Sequence, residues 1–191
     1  LVLRRQRQMC IRDRINGEWV CSNTEIDLIN PSTGDVIAQV SEANDEHVND
    51  AVGVAKDTLE NTWKNITARE RSTLLSTLGR LIEENYDVLA SLEATDVGKP
   101  LRQAQADVKA LARYMEFYAG AADKLHGDTI PYLEDYTVYT LREPHGVCAH
   151  IIPWNYPMQI IGRSVGAALA TGNTCILKPA EEACLTALAF G

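Results

Sequence analysis

Three polar side chains stand where short apolar segments end: Asn155, Lys178 and Glu181. Asn155 lies in Ile151-Ile152-Pro153-Trp154-Asn155-Tyr156-Pro157, reached by the apolar run Val147 to Ile152. Its side-chain amide is a neutral donor that stays unchanged across physiological pH. The same residue type also forms turns by bonding its own backbone. Lys178 and Glu181 follow the segment Thr174 to Leu177, within Lys178-Pro179-Ala180-Glu181. In dinucleotide-binding folds a carboxylate after the second strand holds ribose hydroxyls, and an ammonium can serve either a hydroxyl or a phosphate. The blander reading of this pair is a solvated helix start, because a carboxylate also suits the first turn of a helix.

These residues need elements to hold them. Val147 to Ile152 is short and apolar and reads as a buried strand. Pro157 fits the first turn of a helix, where the missing N–H costs nothing. Met158 to Ala170 continues in a helical pattern, and Thr171-Gly172-Asn173 stops it, with Gly172 free to take the left-handed cap conformation. Thr174 to Leu177 is a second short strand. Strand, loop, helix and strand in this order make a crossover between parallel strands with helices on the faces. The fold class is therefore α/β, a Rossmann-like parallel sheet with flanking helices. Ligands bind beyond the carboxyl ends of such strands, which is where both polar clusters fall. A G-x-G-x-x-G turn is absent; a proline-flanked turn stands in its place.

The chain has 191 residues, 46% hydrophobic and 23% charged, which are globular values. Its net charge is −8. Residues 1–14 hold five Arg and one Asp, so they carry +4 and the remainder −12. An acidic body argues against nucleic acid as a partner. No apolar run approaches the roughly 20 residues of a membrane span. Five cysteines, at 10, 21, 148, 175 and 184, form no C-x-x-C pair and read as reduced, which points to a cytoplasmic protein. Cys148 and Cys175 fall in the two expected buried strands. Residues 1–14 differ from the rest and read as a foreign or disordered tail. Ile15 to Val20 reads as the start of a hairpin, and Asn30-Pro31-Ser32-Thr33-Gly34 as a turn between strands. Helices follow: one with Val48, Ala51, Val52, Ala55 and Leu59 on one face, one opened by the capping box Thr67-Ala68-Arg69-Glu70, one near Asp87–Thr95, and one carrying Ala104, Val108, Leu111 and Met115 and ending near Gly127. Asp96-Val97-Gly98-Lys99-Pro100 reads as a helix stop and restart. Tyr132 to Arg142 alternates as a half-exposed strand.

The block Glu143 to Leu188 resembles the aldehyde dehydrogenase superfamily. Glu143-Pro144-His145-Gly146-Val147, Ile-Pro-Trp-Asn-Tyr-Pro, Gly166 to Thr174 and Lys-Pro-Ala-Glu match it in order and spacing. The resemblance extends from Ile15 to Gly191 and corresponds to the first part of a family member. It implies oxidation of an aldehyde to a carboxylate with NAD, NADP being possible, through a cysteine thiohemiacetal and thioester. It implies that Asn155 is the oxyanion donor, that Ile151, Ile152, Pro153, Trp154, Asn155, Lys178 and Glu181 lie along the cofactor, and that Tyr156 and Arg163 face the substrate. It places residues 132–144 in an arm strand of the subunit interface, hence a homo-dimer or tetramer when full-length. In relatives an Asp at position 96 can help hold a monovalent cation; no metal ligand is assigned here. Many relatives carry Trp-Lys where this chain has Arg163-Ser164, so a more polar tunnel wall is expected. The family's nucleophilic Cys and general-base Glu are expected beyond Gly191, and an inactive 15–191 segment follows. A non-catalytic binding or structural relative and a coenzyme A-acylating relative are the alternatives.

Overall fold

The computed structural model describes residues 10–191. The N-terminal part is β-rich. Strands β1 (Cys10–Ile11), β4 (Glu25–Ile29) and β5 (Val36–Ser41) form one sheet in the order β1-β5-β4. Strands β2 (Asp13–Ile15) and β3 (Glu18–Val20) form a separate hairpin, turned by Asn16 and Gly17, both at positive φ. Residues 10, 11, 13 and 14 of the expected tail enter strands: β1 pairs in parallel with β5, and β2 pairs with β3. Backbone pairing outweighs the basic composition of that segment. Residues 1–9 of the expected tail lie outside the described residues.

Four helices then build the core: α1 (Asp45–Asn61), α2 (Ala68–Glu84), α3 (Tyr86–Val97) and α4 (Leu101–Ala121). Thr67 and Glu70 cap α2 reciprocally, the Thr67 side chain taking the Glu70 N–H and the Glu70 carboxylate the Thr67 N–H. Gly98 closes α3 at φ +72°, and a Cβ there would strike the Pro31 ring at 2.5 Å. Helix α4 ends at Ala121, before the expected stop at Gly127.

The crossover appears as read. β8 (Val147–Ile151) and β9 (Thr174–Lys178) pair in parallel, with Val147 opposite Thr174 and Ile151 opposite Lys178. Between them runs α5 (Pro157–Ala170), with Pro157 in its first turn. Gly172 follows at φ +89°. The buried Asn173 locks this end, its Oδ1 accepting the Gly146 N–H at 3.0 Å and its Nδ2 donating to Ala168 O at 3.2 Å. Arg71 adds a second tie, donating from Nε to Ala170 O. Helix α5 lies against α4 at two glycines, where a Cβ on Gly162 or Gly166 would come 2.8 Å from the ring of Tyr114 or Tyr118. Leu111, Met115, Ile152, Met158 and Ile161 pack at that seam. The short α6 (Leu185–Phe190) closes the described chain.

Three local features stand out against the sequence pattern. The arm is strand only at β7 (Val138–Tyr139), paired with β6 (Thr129–Ile130). The rest of 132–144 finds no partner strand among the described residues, and alternation alone does not make a ladder. Glu181 does not open a helix: it sits in the turn bridged by Ala180 and Ala183, before α6. Cys148 and Cys175 are part-exposed rather than buried, because β8 and β9 pair only with each other among the described residues.

Candidate active site

The loop 152–156 leaves the carboxyl end of β8 and enters α5. Ile151 closes the strand with its side chain 79% exposed, while Ile152 turns into the core at 2% and donates its N–H to Lys178 O at 2.9 Å. That bond clips the loop to the end of β9. Pro153, Trp154 and Asn155 are exposed. The Asn155 amide has no hydrogen-bond partner among the described residues, so the self-bonded turn reading does not describe it. A loop amide left free beside two strand ends is available to a ligand.

On one side of this loop lies an open cleft of ≈ 440 Å³, lined by Trp154, Glu181 and Glu182, by Asp96 and Val97, and by Ile26 to Ile29 of β4. Lys178 and Glu181 stand at its rim as an ion pair, Nζ to Oε1 2.6 Å, each more than half exposed. The ammonium holds the Glu181 carboxyl below its ordinary range, first through the hydrogen bond, so Glu181 is ionised and an acceptor. On the other side, α4 and α5 carry a polar stripe. Gln103 donates to the Tyr156 hydroxyl at 3.3 Å, and Lys99 Nζ lies 4.6 Å from the Tyr156 ring centroid. Arg163 donates to the Tyr114 hydroxyl and to Gln159, both at 2.8 Å. The sequence-expected residues thus divide: Trp154 with Glu181 at the cleft, Lys178 at its rim, Tyr156 and Arg163 on the α4–α5 face, and Asn155 between. Ile152 does not join the cleft through its side chain.

Beneath the loop is a buried charge network. Lys99 Nζ, 7% exposed, donates to Glu93 Oε1 at 2.8 Å and Asp107 Oδ2 at 2.7 Å. Gln159 Nε2 donates to the other Asp107 oxygen, and Thr186 Oγ1 to Glu93 Oε2. Burial pulls the Lys99 ammonium down, but its bonds and charges from Asp107 and Glu93 outweigh that and hold it above the ordinary range. Burial pushes the Glu93 carboxyl up. Asp96 is buried beside them, one oxygen accepting the Leu185 N–H at 2.8 Å and the other unpartnered. Burial raises its pKa to about 7, the Leu185 bond opposes this, and Glu93 adds to the rise. This network joins α3, α4, α5 and α6 under the loop 152–156. Residue types predict a helix stop and restart over Asp96 to Pro100, and the resemblance a cation role for Asp96; neither predicts this network. A signal was present: Asp107 falls on the same helical stripe as Ala104, Val108 and Leu111, where a charge must be paired.

The motif block and this placement coincide with a match to the Aldehyde dehydrogenase family model over residues 19–191. The chain belongs to the aldehyde dehydrogenase family. Among curated relatives, the mitochondrial family 2 member B4 of Arabidopsis thaliana is 45% identical over 181 residues, 93% of this chain and 34% of that protein. An aldehyde dehydrogenase 2 of Saccharomyces cerevisiae, whose name specifies NAD(P)+, is 41% identical, over 92% of this chain and 36% of its own length. The chain therefore spans about a third of the length of the curated relatives it matches. Among solved structures, the NAD+ complex of an aldehyde dehydrogenase from Bacillus cereus superposes at TM-score 0.95, 41% identical, over 99% of this chain and 39% of that one. The NAD+ complex of a betaine aldehyde dehydrogenase mutant from Staphylococcus aureus gives 0.92 at 34% identity, over 99% and 38%. The fold of this chain is mixed α/β and matches that of the aldehyde dehydrogenases.

Proposed function

We propose that residues 15–191 supply the cofactor cleft and the oxyanion donor of an NAD(P)-dependent aldehyde dehydrogenase. The observation that carries this is the free Asn155 amide at the carboxyl end of the parallel pair, beside a cleft lined by Trp154 and an ionised Glu181. The donor set fits a dinucleotide. Glu181 can accept from ribose hydroxyls, Lys178 can donate to them, and Trp154 with the β4 residues supplies apolar wall. Ile151 and Pro153 offer exposed apolar surface at the strand end. The nicotinamide, when bound, accepts the hydride.

In the complete protein a cysteine thiolate attacks the aldehyde carbon, and the carbonyl oxygen becomes an oxyanion. Asn155 donates its side-chain N–H to that charge, a role in which losing one donor costs ~10²–10³ in rate. Loss of hydride leaves a thioester, which water hydrolyses to the carboxylate and the free thiol. Three of the thiols suit the attack poorly. Burial pushes Cys175 and Cys184 up to about 12, and Cys148 lies on β8 rather than at the loop. The family resemblance assigns the nucleophile and the base to a part of the protein beyond these residues. Tyr156 and Arg163 shape the aldehyde's approach, and Arg163 makes that wall polar. The β6–β7 arm, with Tyr132, Tyr136, Tyr139 and Leu141 all exposed, docks on another copy in a dimer or tetramer. The test is aldehyde-dependent NAD reduction by the complete protein and by the 191-residue chain. Activity in the complete protein alone supports the allocation; turnover by the chain itself overturns it.

A further inference from the structure

Cys148 and Cys175 are direct partners in the parallel pairing of β8 with β9. Aligned residues on neighbouring strands share a face, and the strands run about 4.8 Å apart. Thr174 reaches the opposite face, donating to Ala55 O of α1, so both thiols lie on the α5 side, where Cys175 touches the main core. Neither is in a disulfide, and both are part-exposed. On the same face, two residues along β8, stands His150, whose Nε2 is buried without a partner. No group of three metal-binding side chains occurs among the described residues, so the site offers two sulfurs and no more.

We propose that Cys148 and Cys175 form a dithiol clamp that captures trivalent arsenicals and chemically similar soft, thiophilic centres. A disulfide asks for Cβ atoms about 3.8 Å apart, closer than parallel neighbours stand. A bridging arsenic atom widens the allowed span, because two arsenic–sulfur bonds replace one sulfur–sulfur bond. The step is a condensation without redox change. An aryl arsenoxide gives up its oxygen as water, the two thiols give up their protons to that oxygen, and two arsenic–sulfur bonds form. Burial pushes the Cys175 thiol up to about 12, with Cys148 adding to the rise, which slows capture of single-thiol reagents that need a thiolate. A chelate does not depend on that rate for its persistence. The adduct pins together the two strands whose ends carry Trp154, Lys178 and Glu181.

The probe is phenylarsine oxide on the folded 191-residue chain, read by intact mass after washing with excess glutathione. The expected result is one phenylarsenic group per chain, less two hydrogens, retained against the monothiol and removed by 2,3-dimercaptopropanol. Cys148→Ser and Cys175→Ser should each lose it, and Cys21→Ser and Cys184→Ser should keep it. Cys148→Ala and Cys175→Ala, checked by circular dichroism, guard against a misfolded serine variant. Retention in any Cys148 or Cys175 variant, or no retained adduct in the folded wild type, overturns the clamp.

Discussion

Replacing Asp96 by Asn should stabilise the protein above neutral pH and do less, or nothing, in mild acid. Asp96 is 2% exposed and lies beside Glu93, with Cys184 near and the Leu185 N–H as its one donor. Its folded pKa stands at about 7, against 3.8 for the ordinary carboxyl. The folded state therefore holds a proton between these values that the unfolded state has released. Stability falls as pH rises through that window, and the loss is complete above about 7. At about 1.4 kcal/mol per pH unit, the gap sets a ceiling of about 4 kcal/mol on the ionised form's cost. An amide keeps the Leu185 bond through its oxygen and carries no charge. Urea unfolding of both proteins at pH 5 and pH 8, with sodium and potassium replaced by a bulky organic cation, measures the difference. Asn at 96 should gain at least about 1 kcal/mol relative to wild type at pH 8 compared with pH 5. Equal effects at both pH values, or a larger penalty for Asn at pH 8, would refute the argument that burial governs this carboxyl.

Lys99→Met should cost about 3–5 kcal/mol, because it leaves Glu93 and Asp107 buried without their shared cation; urea unfolding at pH 8 checks it, and a loss below about 1 kcal/mol would show that water replaces the ammonium. Wild-type enzyme should prefer NAD over NADP, since a 2′-phosphate would meet the Glu181 carboxylate. Glu181→Gln should narrow the ratio of kcat/KM for the two cofactors; an unchanged ratio removes Glu181 from cofactor choice.

Local signals carried the crossover and the helix ends into view. Pro157, the Thr67–Glu70 box, Gly98 and Gly172 each act within a few residues, so their types alone dictate the chain's path. The ends of β8 and β9 followed from short apolar runs. What did not follow depends on convergence in space. Glu93, Lys99, Asp107, Gln159 and Thr186 come from four helices and the link between two of them, and no sequence period joins them. Residue type alone leaves the local setting of Glu181 open, because a carboxylate suits a helix start and a turn alike; the structure puts it in a turn. Within one chain the arm forms a ladder only at β7, since a ladder needs a partner and β7 finds the two residues of β6. The pairing of β1 with β5 was hidden by a basic composition that backbone hydrogen bonds do not sense.

The central claim is that the free amide of Asn155 bears the oxyanion of acylation. Single-turnover hydride release by the complete enzyme, wild type against Asn155→Ala, tests it most directly, with NAD affinity measured alongside. The account predicts acylation slowed ~10²-fold or more while NAD binds as before. Normal single-turnover kinetics in Asn155→Ala would contradict it.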